Sequence, residues 1–135
     1  MFRIWLFIAG LVALAAVVAA AHGAHELNRY ALFPAAAKIY DTAQLFHMMH
    51  AIALFGVAIL LATTDGRRHG WSSLMLNLAA VAFLAGIALF SGGIYYHVLK
   101  GVPPSAPAGG LAFMVGWAAL ALSAFGFRSV TRAAV

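Results

Sequence analysis

The sequence predicts an all-α fold, an integral membrane bundle of four transmembrane helices, and three observations carry that reading. Hydrophobic residues make up 65% of the 135 positions and charged residues 8%, too few charges to cover a soluble globule. Mean hydropathy is +0.99. The apolar residues also fall into four runs, each near the roughly 20 residues needed to cross about 30 Å of hydrocarbon, and the charged residues lie between or at the ends of these runs.

The first span, 4–21, contains no charge. Arg3 in front of it, with Ala19, Ala20 and Ala21 behind it, also fits a secretory signal with an A-x-A cleavage site. The connection from His22 to Asp41 is the longest, and Pro34 followed by the helix-prone run Ala35 to Lys38 predicts a short interfacial helix there. Tyr30, Phe33 and Tyr40 are expected as aromatic anchors at headgroup depth. Asp41 and Thr42 cap or begin the second span, 42–64. A polar turn from Thr64 to Arg68 leads to the third span, 71–99. Pro103, Pro104 and Pro107 delay the fourth, 106–127, because proline is tolerated in a first helical turn and not in an interior. No repeat or low-complexity linker divides the chain, so residues 1–135 form one transmembrane domain.

The loops give orientation. Arg3, Arg67, Arg68, Arg128 and Arg132 fall on one side of the membrane, and Arg29, Lys38 and Lys100 on the other. By the positive-inside rule the side with more arginine is cytoplasmic, so both termini are expected inside. The net charge of +5 therefore reports topology; the basic residues form no interleaved basic and aromatic surface for nucleic acid.

Five of the six histidines, His22, His25, His47, His50 and His97, lie within or at the ends of the apolar segments, and all at the outer side. An imidazole in hydrocarbon must find a partner, which makes such residues functional candidates. His22 and His25 are three apart and Glu26 is four from His22, so a first helix that runs two turns past Ala21 carries all three on one face. His47 and His50 are again three apart, roughly 9–14 Å below the outer boundary. The sixth, His69, is a solvated loop residue. Cysteine is absent, which leaves histidine, carboxylate, methionine and backbone oxygen as ligands. Imidazoles on facing helices are a common way to build a site in a bundle. The candidate metal ligands are thus His22, His25, Glu26, His47, His50 and His97, with Asp41, Met48 and Met49 in reserve. Zinc or copper suits imidazole with carboxylate, Cu(I) suits imidazole with thioether, and a b-type haem between two histidines is a further option.

The structural alternative stands beside this one. Each histidine can instead bond a hydroxyl or carbonyl on a neighbouring helix, and the methionines can simply pack. Ala82 with Gly86, Ala112 with Gly116, and the Ser91-Gly92-Gly93 patch permit close helix approach in lipid. Enzyme classes lack their parts: Ser91 and Ser105 have no nucleophile, base and orienting-acid set, and no phosphate loop precedes a helix. Asn77 is the main polar residue of the third span, without the paired acids of a small transporter. Two functions remain, a membrane metal- or haem-binding protein and a non-catalytic accessory or assembly subunit that forms a homo-oligomer or joins a larger complex. Titration of outer histidines as a proton-responsive element is a third.

Gly23-Ala24-His25-Glu26-Leu27, Tyr40-Asp41-Thr42-Ala43 and Phe46-His47-Met48-Met49-His50-Ala51, followed by Leu84-Ala85-Gly86-Ile87, Phe90-Ser91-Gly92 with Tyr95, Pro107-Ala108-Gly109-Gly110-Leu111-Ala112-Phe113 and Gly116-Trp117, resemble the YgdD-like family of small bacterial inner-membrane proteins. The resemblance implies a multi-span helical fold in the bacterial cytoplasmic membrane, a retained first span and no assigned activity. It places the family's usual histidines on His25 and His50. At His22, His47 and His97 the family has phenylalanine, glutamine and an aliphatic residue, so these three imidazoles are this chain's own additions.

Overall fold

The computed structural model describes residues 2–30, 34–64 and 70–127, with the side chains of all but 26–30 and 64. The chain is helical and contains no strand among the described residues. Helix α1 is Phe2–Tyr30 and α2 is Ala36–Thr64. Helix α3 is Trp71–Lys100, built from an α-helical part Trp71–Gly86, a π-helical turn Ile87–Gly92 and an α-helical end Gly93–Lys100. Helix α4 is Ala106–Ser123, followed by a 3₁₀ turn Ala124–Gly126. Four of these stretches are long and apolar enough to cross a membrane.

Two boundaries differ from the sequence reading. The 29 residues of α1 extend roughly 43 Å at 1.5 Å per residue, because His22 to Tyr30 contains no proline and only Gly23 as a weak helix former; the helix runs past the apolar segment into the boundary. The run Ala35 to Lys38 forms no separate interfacial helix. It leads straight into α2, which sets Asp41 and Thr42 inside the helix, where the Thr42 hydroxyl donates to the Lys38 carbonyl four residues back (3.0 Å). Tyr40, expected as a surface anchor, is 2% exposed and its hydroxyl donates to the Ala19 carbonyl of α1 (2.8 Å). The side chains of Glu26 and Tyr30, and Phe33, the turn Asp65–Arg68, His69, Arg128 and Arg132, lie outside the described residues.

The larger core cluster joins Leu54, Val57 and Leu61 of α2 to Leu76, Ala79, Ala80 and Phe83 of α3 and to Phe113 and Ala119 of α4. A smaller one, of Ala36, Tyr40, Ala43, Ile94 and Val98, lies at the end bearing the α1–α2 connection. Both α3 and α4 approach closely through small residues. A Cβ on Gly86 would enter the Phe113 ring, one on Gly116 the Phe83 ring, and one on Gly109 the backbone of Phe90. The Ser72 hydroxyl and the Trp71 indole N–H donate to the carbonyls of Ser123 and Leu122 (both 2.8 Å), which satisfies acceptors at the C-terminal end of α4 that have no helical donor. Gly101 ends α3 at φ 73°, a left-handed cap whose N–H bonds the His97 carbonyl (2.8 Å).

Helix α1 packs mainly on α2, and large side chains such as Ile4, Phe7, Leu14 and Val18 are more than half exposed, a lipid-facing pattern in a spanning helix. A polar bond ties it to α3: the Trp5 indole N–H donates to Asn77 Oδ1 (2.8 Å), while Asn77 Nδ2 donates to the Ser73 carbonyl (2.7 Å). Asn77 is thus satisfied on both sides. Trp5→Phe, which keeps an aromatic ring and removes the donor, is expected to lower stability in detergent by about 0.6 kcal/mol, the usual worth of an interhelical bond in membranes. Equilibrium unfolding in mixed micelles would read this, and no change for Trp5→Phe and Asn77→Leu alike would show that the bond contributes nothing.

Candidate functional site

From the middle of the bundle towards its α1–α2 end, the otherwise apolar helices carry imidazoles, phenols and hydroxyls. His47 and His50 are the imidazoles of α2. His47 is 6% and His50 3% exposed, so each must satisfy its nitrogens inside the protein.

His50 does so completely. Its Nδ1–H donates to the Phe46 carbonyl (2.8 Å), which fixes the tautomer because a carbonyl only accepts. The Nε2 lone pair then accepts the indole N–H of Trp117 from α4 (3.1 Å). The ring stacks on Phe113 at 3.6 Å between centroids and 14° between planes, and meets Phe83 of α3 at 5.5 Å. His50 is therefore a joint among α2, α3 and α4.

His47 points to different neighbours. Its Nδ1 lies 3.4 Å from the Tyr95 hydroxyl of α3, a long contact, and the Val12 backbone of α1 lies on its side. Its Nε2 is buried without a hydrogen-bond partner among the described residues. Tyr95 in turn packs on Tyr40, with ring centroids 4.7 Å apart. Beside them the buried Ser91 hydroxyl, in the π-helical turn, donates to the Ala43 carbonyl of α2 (2.8 Å), and the Ser105 hydroxyl closes on the Leu89 carbonyl of the same turn (2.7 Å). A π-helical turn widens the helix and shifts its donor and acceptor pattern, and these hydroxyls hold that turn from both sides.

The remaining expected ligands lie elsewhere. The His22 ring faces Tyr40 at 6.4 Å between centroids. His25 is exposed near the end of α1. His97 sits in the last turn of α3, and its Nδ1–H donates to the Val102 carbonyl (2.9 Å). Among the described residues no three histidine or acidic side chains come together in a group that could hold a metal ion. Met49 is half exposed. Tyr95 and Trp117 are not recognisable as partners from the sequence: an aromatic residue near a helix end, such as Tyr95, reads equally as a membrane anchor, and one in mid-span, such as Trp117, reads equally as apolar packing.

A second feature of this end is a groove of about 320 Å³ between α1 and α2. It is lined by Ala20, Gly23 and Ala24 on one side and Ala37, Tyr40, Asp41 and Gln44 on the other.

Comparison with known proteins gives no activity for this arrangement. The family described as a protein of unknown function, DUF423, matches residues 19–110. A UPF0382 membrane protein of Staphylococcus aureus is 30% identical over 128 residues, covering 93% of this chain and 98% of that protein. The UPF0382 membrane protein YwdK of Bacillus subtilis is 29% identical over 90% of this chain and 96% of its own length, and one of Haemophilus influenzae is 33% identical over 82% of each. No solved structure matches. Relatives of this kind and four apolar helices make this a multi-pass protein of bacterial membrane type, and the chain belongs to the DUF423 family of membrane proteins of unknown function.

Proposed function

We propose that this chain is a non-catalytic accessory or assembly subunit that works by packing in the membrane, within the YgdD-like branch that its motifs resemble. Its histidines act as interhelical joints. The observation that supports this most directly is His50, whose two ring nitrogens are both committed inside the fold, to Phe46 and Trp117; a ligand could take Nε2 only by expelling the indole. The Nδ1 bond of His97 to the Val102 backbone fits the same role. The largely uncovered α1, with a single main helical neighbour, is the face on which another membrane protein would pack. The distribution of arginine supports the cytoplasmic membrane with both termini inside.

A second reading, a metal or b-type haem bound through His47, is favoured by one specific observation, the buried Nε2 of that residue, which has no hydrogen-bond partner among the described residues. Copper or zinc fits a histidine nitrogen in this setting, with further ligands drawn from His22, His25, Glu26 or His97 after rearrangement. Purification in mild detergent without a metal-binding tag, followed by elemental analysis and a visible spectrum, separates the two. The joint reading expects a protein that takes up no stoichiometric copper, zinc or haem when these are offered, and whose photo-crosslinker at Leu14 on α1 gives one discrete protein adduct in cells while one at Met114 on α4 gives lipid adducts alone. Stoichiometric metal or a Soret band, lost in a His47→Ala, His50→Ala double variant that remains folded, would overturn it in favour of the second.

A further inference from the structure

The groove between α1 and α2 is the feature that the packing reading leaves unused. Its walls are made by residues too small to fill it, Ala20, Gly23 and Ala24 of α1 and Ala37 of α2, and its volume of about 320 Å³ lies at the lower end of small-molecule sites, about 300–1,000 Å³. The polar groups in it are the Asp41 carboxylate, the Gln44 amide and the Tyr40 phenol. The Tyr40 hydroxyl is already spent on the Ala19 carbonyl, which leaves the carboxylate and the amide.

Asp41 is the unusual member. It is exposed in the second turn of α2, where the apolar run of the second span begins, a position at the depth of lipid headgroups. Among the described residues it makes no ion pair or hydrogen bond, and Lys38, exposed three residues earlier on the same helix, does not close on it. An exposed carboxylate lining a small-walled groove, with an amide one turn further along, suits one chemistry. That chemistry is a monovalent cation carrying several N–H donors: the carboxylate takes the charge and the Gln44 side-chain oxygen takes a further hydrogen. A quaternary ammonium has no N–H to give, and an anionic headgroup would meet the carboxylate with like charge.

We infer that the α1–α2 groove binds a primary ammonium group between Asp41 and Gln44, supplied either by the headgroup of phosphatidylethanolamine or by a small free amine. This does not depend on what else the protein packs against.

The test is native mass spectrometry of the full chain in detergent, titrated with phosphatidylethanolamine, phosphatidylcholine and phosphatidylglycerol of matched acyl chains, and then with ethanolamine as competitor. Phosphatidylethanolamine is expected to bind about tenfold more tightly than the other two, the scale of one charge-assisted bond. Asp41→Asn should erase that preference. Ala24→Leu, which fills the groove and leaves the carboxylate in place, should weaken binding as well, so that loss of charge and loss of space are read separately. If ethanolamine alone binds in an Asp41-dependent manner and the lipids do not discriminate, the site stands with a soluble amine as its source. Equal affinity for all three lipids with no Asp41-dependent effect of ethanolamine, or full phosphatidylethanolamine preference in folded Asp41→Asn, would overturn the assignment.

Discussion

Replacing His50 by alanine is expected to lower the stability of the folded protein by about 2–3 kcal/mol, the range for truncating a large buried side chain. The loss has two parts. The ring fills space between Phe113 and Phe83, and in a membrane, where lipid is as apolar as the core, that contact contributes through packing and not through removal from water. The second part is the Trp117 indole, whose N–H loses its acceptor. His50→Phe separates them, since it keeps a stacking ring on Phe113 and removes Nε2; it should cost about 1 kcal/mol, within the range of single interhelical bonds in membranes. Equilibrium unfolding in mixed micelles, read by tryptophan fluorescence, measures both variants. A His50→Ala protein within about 0.5 kcal/mol of the parent, a margin typical of surface substitutions, would show that His50 is no joint.

Gly109→Ala is expected to be the most damaging single-methyl change, about 3 kcal/mol, at the upper end for overpacking. Its added Cβ would meet the backbone nitrogen and Cα of Phe90, in the π-helical turn of α3. Backbone cannot rotate aside, so α4 must move away as a body and lose the Phe113 contacts. At Gly86 and Gly116 the obstacles are the rings of Phe113 and Phe83, which can turn, and the cost there is smaller. The adjacent Gly110 is the control: a methyl added there meets nothing within 4 Å, and Gly110→Ala should be neutral or gain up to about 1 kcal/mol from helix propensity. Thermal unfolding of the pair in one detergent decides the matter, and equal effects at the two glycines would remove the close-approach argument.

The spans are legible in the sequence because hydrocarbon imposes a length on apolar runs, and the four helices follow those runs. Their ends are less so. Hydropathy marks where hydrocarbon stops, not where helix stops, so α1 continues through His22 and His25 and α2 begins before Asp41. The directions of the side chains are hidden for a further reason: α2 is apolar around nearly its whole circumference, and without a polar stripe the sequence cannot fix its rotation. The i, i+3 spacing of His47 and His50 suggests a shared site, whereas one imidazole faces Tyr95 and the other Trp117. The Ser91-Gly92-Gly93 patch signals close packing, but Gly109, a position where two backbones meet, has no mark to distinguish it from Gly110.

The π-helical turn at Ile87–Gly92 has a consequence for how the third span is compared with those of other chains. A wider turn spends about one more residue per turn than an α-helix, in which each residue rotates the face by about 100°. Tyr95 and His97 therefore face where they do because the turn takes up one residue of length. A relative with one residue fewer in that stretch could close an ordinary α-turn and keep both halves of the helix facing their partners, so a gap at this point in an alignment would record a change of winding and no change of architecture.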